Sequence, residues 1–505
     1  MKINRALVSV YHKDGLDKIV YALQRLEVEM YSTGGSYEYI SKLGIPVKAI
    51  DGLTGFPAIL GGRVKTLHPK VFGGILARRE HASDFEELAT HAILPFDLVI
   101  VDLYPFEETV ASGATEQEVI EKIDIGGISL IRAAAKNYND VVVISNQQQY
   151  PKLLELLTER NGVSTLSERR QFATEAFLTS AHYDTAIFNY FNQETKIPCL
   201  IQNYTRAQTL RYGENPHQKG RYFGAPGSLP KQIHGKELSY NNLLDIEAGI
   251  ELISDFTEPT VAIIKHNNAC GCASHPSLLT AWERALAADP LSAFGGIVIT
   301  NQPIEDKTIA QAINTLFFEI LAAPAFSKEA LDILTEKKNR IILELSSSPL
   351  PKEKVRTLLN GVLVQDRDEA VEEACRLNPC TCEKPNNAQV EDLVFANKIV
   401  KHSKSNAIVL AKDRMLLASG VGQTSRVDAL RYAIEKAQRF GLSLAGAVMA
   451  SDAFFPFPDC VEMAHKAGIT AIVQPGGSVR DHESIDYCNM HHVAMVCTGI
   501  RHFKH

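Results

Sequence analysis

The stretch Val261–Cys272, VAIIKHNNACGC, decides how the rest of the chain is read. Val261, Ala262, Ile263 and Ile264 are apolar in succession, the pattern of a strand buried on both faces, as inside a parallel sheet. Polarity then changes within one residue: Lys265 and His266 arrive together, followed by Asn267, Asn268 and a small-residue loop. A cation and a titratable imidazole stand where the strand runs out, and in parallel α/β sheets ligands bind at that carboxyl end. Side chains alternate across a strand, so the two serve one ligand only if the backbone turns at or just before them. The Asn-Asn pair favours such a turn.

Downstream, the same pattern recurs. Ile408–Leu410 follows Lys404-Ser405-Asn406-Ala407, and Gly420–Arg426 opens a long helix. Ala445–Ala450, Thr470–Val473 and Val493–Cys497 read as strands that run into Ser451–Asp459, Gln474–Ser478 and Thr498–His505. If these strands are parallel, their three loops gather on one edge. Upstream, Leu210–Gln218 is a polar loop whose Arg211-Tyr212 pair suits an anion and a flat ring. Residues 346–390 carry Pro- and Ser-containing surface segments, SSSPLPKEK and NPCTCEKPNN, with no regular period.

Residues 1–195 alternate strand and helix signals and form a doubly wound α/β unit. Ala6–Val10 reads as a strand ending near Ser9 and Lys13, and Val28–Tyr31 as a second, followed by Ser32-Thr33-Gly34-Gly35-Ser36 and a helix. Strand, Gly-rich turn and helix N-terminus together suit phosphate, because unpaired amides are close and no Cβ keeps the anion away. Gly61–Pro69, GGRVKTLHP, sets Arg63, Lys65 and Thr66 behind a glycine pair and beside Val71–Leu76, which reads as an apolar strand. Phe96–Val101 discharges into Asp102-Leu103-Tyr104, and Asp124-Ile125-Gly126-Gly127 leads a helix bearing Arg132 and, one turn on, Lys136. Lys196–Gln202, interrupted by Pro198, is the expected linker, giving domains 1–195 and 196–505.

Composition bounds the reading. The 505 residues, 45% hydrophobic and 22% charged, suffice for several cores. A formal net charge of -7 argues against general nucleic-acid affinity, so local cations and amides must meet any anionic ligand. No apolar run approaches the roughly 20 residues of a membrane span, and MKINRALVSVYHKDG lacks a signal-peptide core, so a cytoplasmic protein is expected. Nine cysteines without a repeating framework fit reduced thiols better than disulfides. Cys270/Cys272 and Cys380/Cys382 have no companion pair at zinc spacing, so no metal is expected.

The motifs GGRVKTLHP, RYGENPHQ, KHNNACG, KSNA, GVGQTSRV, SDAFFPF, QPGGS and RHFKH stand in one order along the chain. With them the sequence resembles, end to end, the bifunctional purine enzymes that combine phosphoribosylaminoimidazolecarboxamide (AICAR) formyltransferase with inosine monophosphate (IMP) cyclohydrolase. The resemblance implies an α/β protein with an N-terminal methylglyoxal-synthase-like domain and a C-terminal transformylase of two cytidine-deaminase-like halves. The absence of an H-x-E and P-C-x-x-C pattern agrees with halves that lack the deaminase zinc. It also implies 10-formyltetrahydrofolate as cosubstrate, AICAR and formyl-AICAR as substrates, and no metal, nucleic acid or membrane partner. A homodimer with the transformylase site between subunits is implied as well.

Carried onto matching positions, the resemblance makes Lys265 and His266 the reactive pair of formyl transfer. Arg211, Tyr212, Asn268, Asn406, Phe454, Asp459, Arg501, Phe503 and His505 become nucleotide and folate contacts. For ring closure, Lys65, Tyr104, Asp124 and Lys136 would polarise the formyl oxygen and move protons, with Arg63 supporting them. Ser9, Lys13, Ser32, Thr33, Gly34, Gly35, Thr66, Gly126 and Gly127 would bind the substrate, most of them at its phosphate.

Several positions depart from the family pattern. Tyr11 and His12 replace the Ser-Asp of S-V-S-D-K, and Asp102 stands where Asn precedes Leu-Tyr-Pro-Phe. Phe72 replaces a common His, Ala269 replaces the Pro of N-P-C-G, and Ala325 follows Pro324 where some members carry Asp. None removes a residue assigned to chemistry; they bear on affinity and, at Ala269, on loop stiffness. Two other readings stay open: one working domain beside a degenerate one, and a non-catalytic nucleotide- and folate-binding protein. The presence of Lys65, Tyr104, Lys136, Lys265 and His266 favours the enzyme.

Overall fold

Five short strands in the first 145 residues pair in parallel: β1 Arg5–Ser9, β2 Glu29–Ser32, β3 Lys48–Ala49, β4 Leu98–Val101 and β5 Val142–Ile144. Their order, β3-β2-β1-β4-β5, puts the carboxyl ends of β1, β2 and β4 side by side on one edge. The computed structural model describes residues 1–225, 227–345 and 350–505, and the sheet lies in the first of two units, Met1–Thr205 and Arg206–His505. Leu98 to Val101 are all buried, as helices on both faces require. Among these helices is Leu166–Thr195, opened by a Thr165/Glu168 capping box.

One element of this unit corrects the sequence reading. Val71–Leu76 is not a strand but most of a helix, Pro69–Leu76. His68 caps it by accepting the Lys70 amide at 3.2 Å, and Pro69 takes the first-turn position where its missing N–H is not needed. Val71 and Ile75, four apart, face the core, a spacing too short in extent to separate from a strand by pattern alone.

In the second unit the remaining strands are β6 Ala207–Thr209, β7 Arg221–Phe223, β8 Lys231–His234, β9 Thr260–Lys265, β10 Asn268–Ser274, β11 Ile297–Thr300, β12 Ile320–Ala323 and β13 Ile341–Glu344. They continue as β14 Glu353–Leu358, β15 Gly361–Asp366, β16 Asn378–Pro379, β17 Ile408–Lys412, β18 Met415–Gly420, β19 Val448–Ser451, β20 Ala471–Gln474 and β21 Ala494–Cys497. Twelve form one sheet, ordered β16-β21-β20-β19-β17-β18-β10-β9-β11-β12-β13-β8. The order is a duplication. Each half has an antiparallel hairpin, a third strand antiparallel to the hairpin's first, two more strands parallel to the third, and an antiparallel edge strand. The halves meet where β10 pairs with β18 at Ala273 and Met415. One apolar core beneath the sheet is shared by both halves, while each half has its own core on the opposite face.

The Val261 strand is therefore buried as expected, but both its neighbours run antiparallel to it. What reads as a small-residue loop after Asn268 is β10, whose Gly271 lies so close to Ala285 that a Cβ would come within 2.0 Å of its carbonyl oxygen. The three strands β19, β20 and β21 are parallel, as the reading of their loops requires. Of the stretch 346–390, residues 346–349 lie outside the described residues, and 353–366 form an exposed hairpin, β14–β15, that irregular composition hides. Cys380 and Cys497 are joined as a disulfide with Cα atoms 6.3 Å apart, against the expectation of reduced thiols throughout. The pairing of β16 with β21 brings these residues together although 117 positions separate them. Among the described residues no helix is long and apolar enough to cross a membrane.

Candidate active sites

A cavity of about 780 Å³ opens at the carboxyl edge of the first sheet, within the size range of small-molecule sites. Ser9, at the end of β1, shares a hydrogen bond with Thr33 at 3.1 Å, and the Val10 amide donates to Ser36 at 3.0 Å. These contacts bring the first turn of helix Gly34–Lys42 against the strand end. Gly34 at φ 46° and Gly62 at φ 90° flank Lys65; a Cβ on Gly62 would come within 2.7 Å of its Cε. These glycines leave the ammonium open to the cavity. Thr66 lies against Gly126, and Arg63 is paired with Glu121 on the rim.

Asp124 folds back onto helix Gly126–Lys136, accepting the Gly127 amide at 2.6 Å. A Cβ on Gly127 would overlap that carboxylate at 2.6 Å, so the glycine is what admits the contact. Burial pushes the Asp124 carboxyl up, and the Gly127, Tyr104 and Ile128 amides hold it back only in part. The Tyr104 phenol is raised too, by burial first and then by Asp124 and Tyr11. Two groups that keep their protons unusually well thus stand together, a setting for proton transfer. Lys13 is less free than the sequence implies: its ammonium donates to the Val10 and Tyr11 carbonyls and to Ser36.

Of the residues expected here, Ser9, Lys13, Thr33, Gly34, Gly35, Arg63, Lys65, Thr66, Tyr104, Asp124, Gly126 and Gly127 line this cavity. Two do not. Ser32 is fully buried and donates to the Val8 carbonyl across the sheet, because alternation turns it inward at the strand end. Lys136 is exposed at the far end of its helix, about 15 Å along the axis from Gly126. Conversely, Ser36, Asp102 and Lys122 line the cavity without having been singled out for chemistry, and Lys122 lies over the rings of Tyr11 and Tyr104 at 5.4 and 5.9 Å.

In the second unit the β9–β10 turn puts His266 at φ 50° and Asn267 at φ 63°, the two left-handed residues of a tight hairpin. Lys265 and His266 are thereby aimed from one tip. The Lys265 ammonium donates one hydrogen bond to the Phe294 carbonyl at 2.9 Å, which leaves two N–H groups. Asp245 receives the Asn267 amide at 2.7 Å; burial raises its carboxyl, and this amide with His266 and Lys265 pulls it part of the way back. Asp245 escapes sequence reasoning because it lies within a helix that begins at Tyr240 behind the Ser239 cap, with no motif around it to mark it.

Asn268 links the tip to the next expected segment: its side-chain oxygen accepts the Lys404 amide at 2.9 Å. Asn406 accepts from Arg426 at 2.8 Å, Arg426 pairs with buried Asp452, and the Asp452 carbonyl accepts the His502 amide at 3.0 Å. This chain of contacts docks the terminal RHFKH, in which Arg501 stacks on Phe503 at 4.4 Å and Phe503 lies 5.5 Å from His505. Arg211 stacks on Tyr212 at 4.7 Å and pairs with Glu319 at 3.6 Å. Phe454 is exposed on the loop after β19, and Asp459 is exposed at the start of the helix that follows, Asp459–Lys466. Among the described residues no group of His, Cys, Asp and Glu is arranged to hold a metal ion.

The chain matches known protein families along most of its length. The AICARFT/IMPCHase bienzyme family matches residues 134–436, and the MGS-like domain matches residues 15–129. The chain belongs to the AICARFT/IMPCHase bienzyme family. A bifunctional purine biosynthesis protein PurH of Bacteroides thetaiotaomicron is 60% identical over 100% of this chain and 99% of its own length. Proteins of the same name from Aquifex aeolicus and Bacillus subtilis are 46% and 44% identical, covering 99% and 100% of this chain and all of their own. Family membership thus embraces both units.

Proposed function

We propose that the two activities of this bifunctional purine-biosynthesis enzyme are divided between its domains, ring closure to IMP in 1–195 and formyl transfer to AICAR in 196–505. The gathering of Lys65, Tyr104 and Asp124 around one cavity at the sheet edge is the observation that carries the first assignment, and the upward shifts of Asp124 and Tyr104 support it. There the carboxamide nitrogen of formyl-AICAR attacks the formyl carbon, Lys65 and Tyr104 polarise its oxygen, and Asp124 relays the proton before water leaves. Ser9, Thr33, Gly34 and Gly35 suit the phosphate through hydroxyls and helix N-terminal amides.

For transfer, the 5-amino group of AICAR is conjugated and weakly nucleophilic. His266 accepts its proton as it attacks the formyl of 10-formyltetrahydrofolate, an effect typically about 10²- to 10⁴-fold. The two uncommitted N–H groups of Lys265 face the developing oxyanion. Arg211, Tyr212, Asn268, Asn406 and the terminal Arg501, Phe503 and His505 act as nucleotide and folate contacts, with Phe454 and Asp459 on the rim. The ligands are small molecules; no metal, nucleic acid or membrane enters this scheme, and a cytoplasmic location fits it.

A homodimer completes the reading, with the transformylase site between subunits. The exposed β14–β15 hairpin supports it, with Leu359 in its turn 96% and Leu363 on its second strand 55% exposed. Leu363→Lys should shift the sedimenting species from dimer to monomer and lower transfer; an unshifted dimer removes the hairpin from the interface. The deciding experiment supplies AICAR and 10-formyltetrahydrofolate and follows tetrahydrofolate and IMP separately. Tyr104→Phe should lose IMP alone, while His266→Ala should lose tetrahydrofolate. Binding without either product would leave a non-catalytic protein, and one product only would leave a single working domain.

A further inference from the structure

Tyr11, His12 and Asp102, three positions at which the chain departs from the family pattern, meet in the structure. Asp102 follows the last residue of β4 with its side chain 9% exposed and reaches the turn after β1. One carboxylate oxygen accepts the Tyr11 amide; the other accepts the His12 amide at 3.0 Å and lies 3.1 Å from His12 Nδ1. The Tyr11 ring stands edge-on to Tyr104, with centroids 5.5 Å apart and planes at 90°. A carboxylate suits this work because both of its oxygens accept, whereas an asparagine offers one acceptor and turns an NH2 toward the other donor.

We propose that His12 and Asp102 form a positioning pair for ring closure, fixing the turn after β1 so that Tyr11 holds the Tyr104 ring in its working orientation. The inference rests on reading this cavity as the ring-closing site. The pair is complementary, a donor on His12 and an acceptor on Asp102, and complementarity can be exchanged. Asp102→Asn alone sets an NH2 against donors, and His12→Asp alone sets two carboxylates side by side. Together, His12→Asp and Asp102→Asn rebuild one hydrogen bond with its direction reversed.

The test measures kcat and KM for ring closure of formyl-AICAR by the full chain, with amide hydrogen exchange at Tyr11 and His12 and across the rest of the unit as a check on folding. Asp102→Asn should lower kcat about 10-fold with KM within about 3-fold, the signature of misplacement rather than lost binding. His12→Asp should lower it further, and the double variant should return to within about 3-fold of wild type. Exchange at Tyr11 should quicken in Asp102→Asn and slow again in the double variant, where the single side-chain oxygen at position 102 is fixed on that amide, while the amide of residue 12 has lost its acceptor in both. An Asp102→Asn protein with wild-type kcat, or a double variant no better than His12→Asp, overturns the inference alone. Wild-type protein that closes no ring overturns the reading of the cavity and the inference with it.

Discussion

At the tips of β9–β10 and β17–β18 the second unit builds the same turn twice. Lys265 ends β9 and donates to the Phe294 carbonyl at 2.9 Å; Lys412 ends β17 and donates to the Ala445 carbonyl at 2.8 Å. Each acceptor stands three residues before the next strand of its half. Both turns place two successive residues at positive φ, 50° and 63° at His266 and Asn267, 53° at both Asp413 and Arg414. A helical aspartate underlies each tip. Asp392 accepts the Asp413 and Arg414 amides at 2.9 and 2.6 Å, so both its oxygens are taken by backbone. Asp245 accepts one, the Asn267 amide. The second tip is closed upon its own backbone, while the first leaves carboxylate charge to face Lys265 and His266. The scaffold is common property of the halves; the chemistry lies in what the tip residues are and in how far their aspartate is occupied.

That contrast fails if the two tips respond alike to equivalent substitutions. The largest expected effect is at the imidazole: His266→Ala should slow tetrahydrofolate release by about 10²- to 10⁴-fold, whereas Asp413→Ala, in the same turn position, should leave transfer within about 2-fold of wild type. Comparable losses in both would mean that turn shape, not the imidazole, limits transfer. A smaller, crossed pair of effects is expected below the tips. Asp245→Asn should lower transfer kcat about 10-fold, since Lys265 and His266 lose the carboxylate beside them, with a small change in unfolding by urea. Asp392→Asn should instead cost about 1–3 kcal/mol of stability, because the buried side chain then turns an NH2 toward one of the two amides it accepts, with kcat little changed.

Much of this arrangement is legible in the sequence, and the exceptions have physical causes. Runs such as Leu98–Val101 and Val448–Ser451, buried throughout, announce central strands, and the polar loops that follow mark the ligand edge. β10 hides because Asn268–Ser274 is built of small residues packed against a helix, without the β-branched signal of a strand. The exposed ladder β14–β15 has no burial pattern to read. In the first site, Thr33 and Ser32 are adjacent and chemically alike, and only the pleat decides that one faces the cavity and the other the Val8 carbonyl. Lys136 shares a helix with the Gly126 end of the cavity, but helix length carries it away. The Cys380–Cys497 pair depends on two strands brought together by the whole sheet, a register that no local pattern encodes.

The halves part once more where their third strand ends. After β11, Asn301 stays local, donating to the Phe256 and Glu258 carbonyls at 3.0 and 2.8 Å. After β19, Asp452 instead serves the chain terminus, accepting the His502 amide, and His502 is itself buried between Asp368 at 2.6 Å and Glu372 at 3.0 Å. Burial alone would lower this imidazole, but the hydrogen bonds to Asp368 and Glu372 outweigh it and raise the group to about 9. A group raised above its unfolded value stabilises fully below that value, near pH 6.5, and ceases to do so as pH rises through about 9. The unfolding midpoint should therefore fall between about pH 7 and pH 9.5, by about 2–4 °C for each kcal/mol lost. Asp368 is 45% exposed, so solvent screening keeps the total near about 1 kcal/mol. His502→Gln should flatten that slope and no substitution of Asn301 should, because only the second half fastens the residues Arg501, Phe503 and His505 through a titrating side chain. An equal slope in the His502→Gln protein would place the pH response elsewhere and reduce the difference between the halves to their hairpin tips.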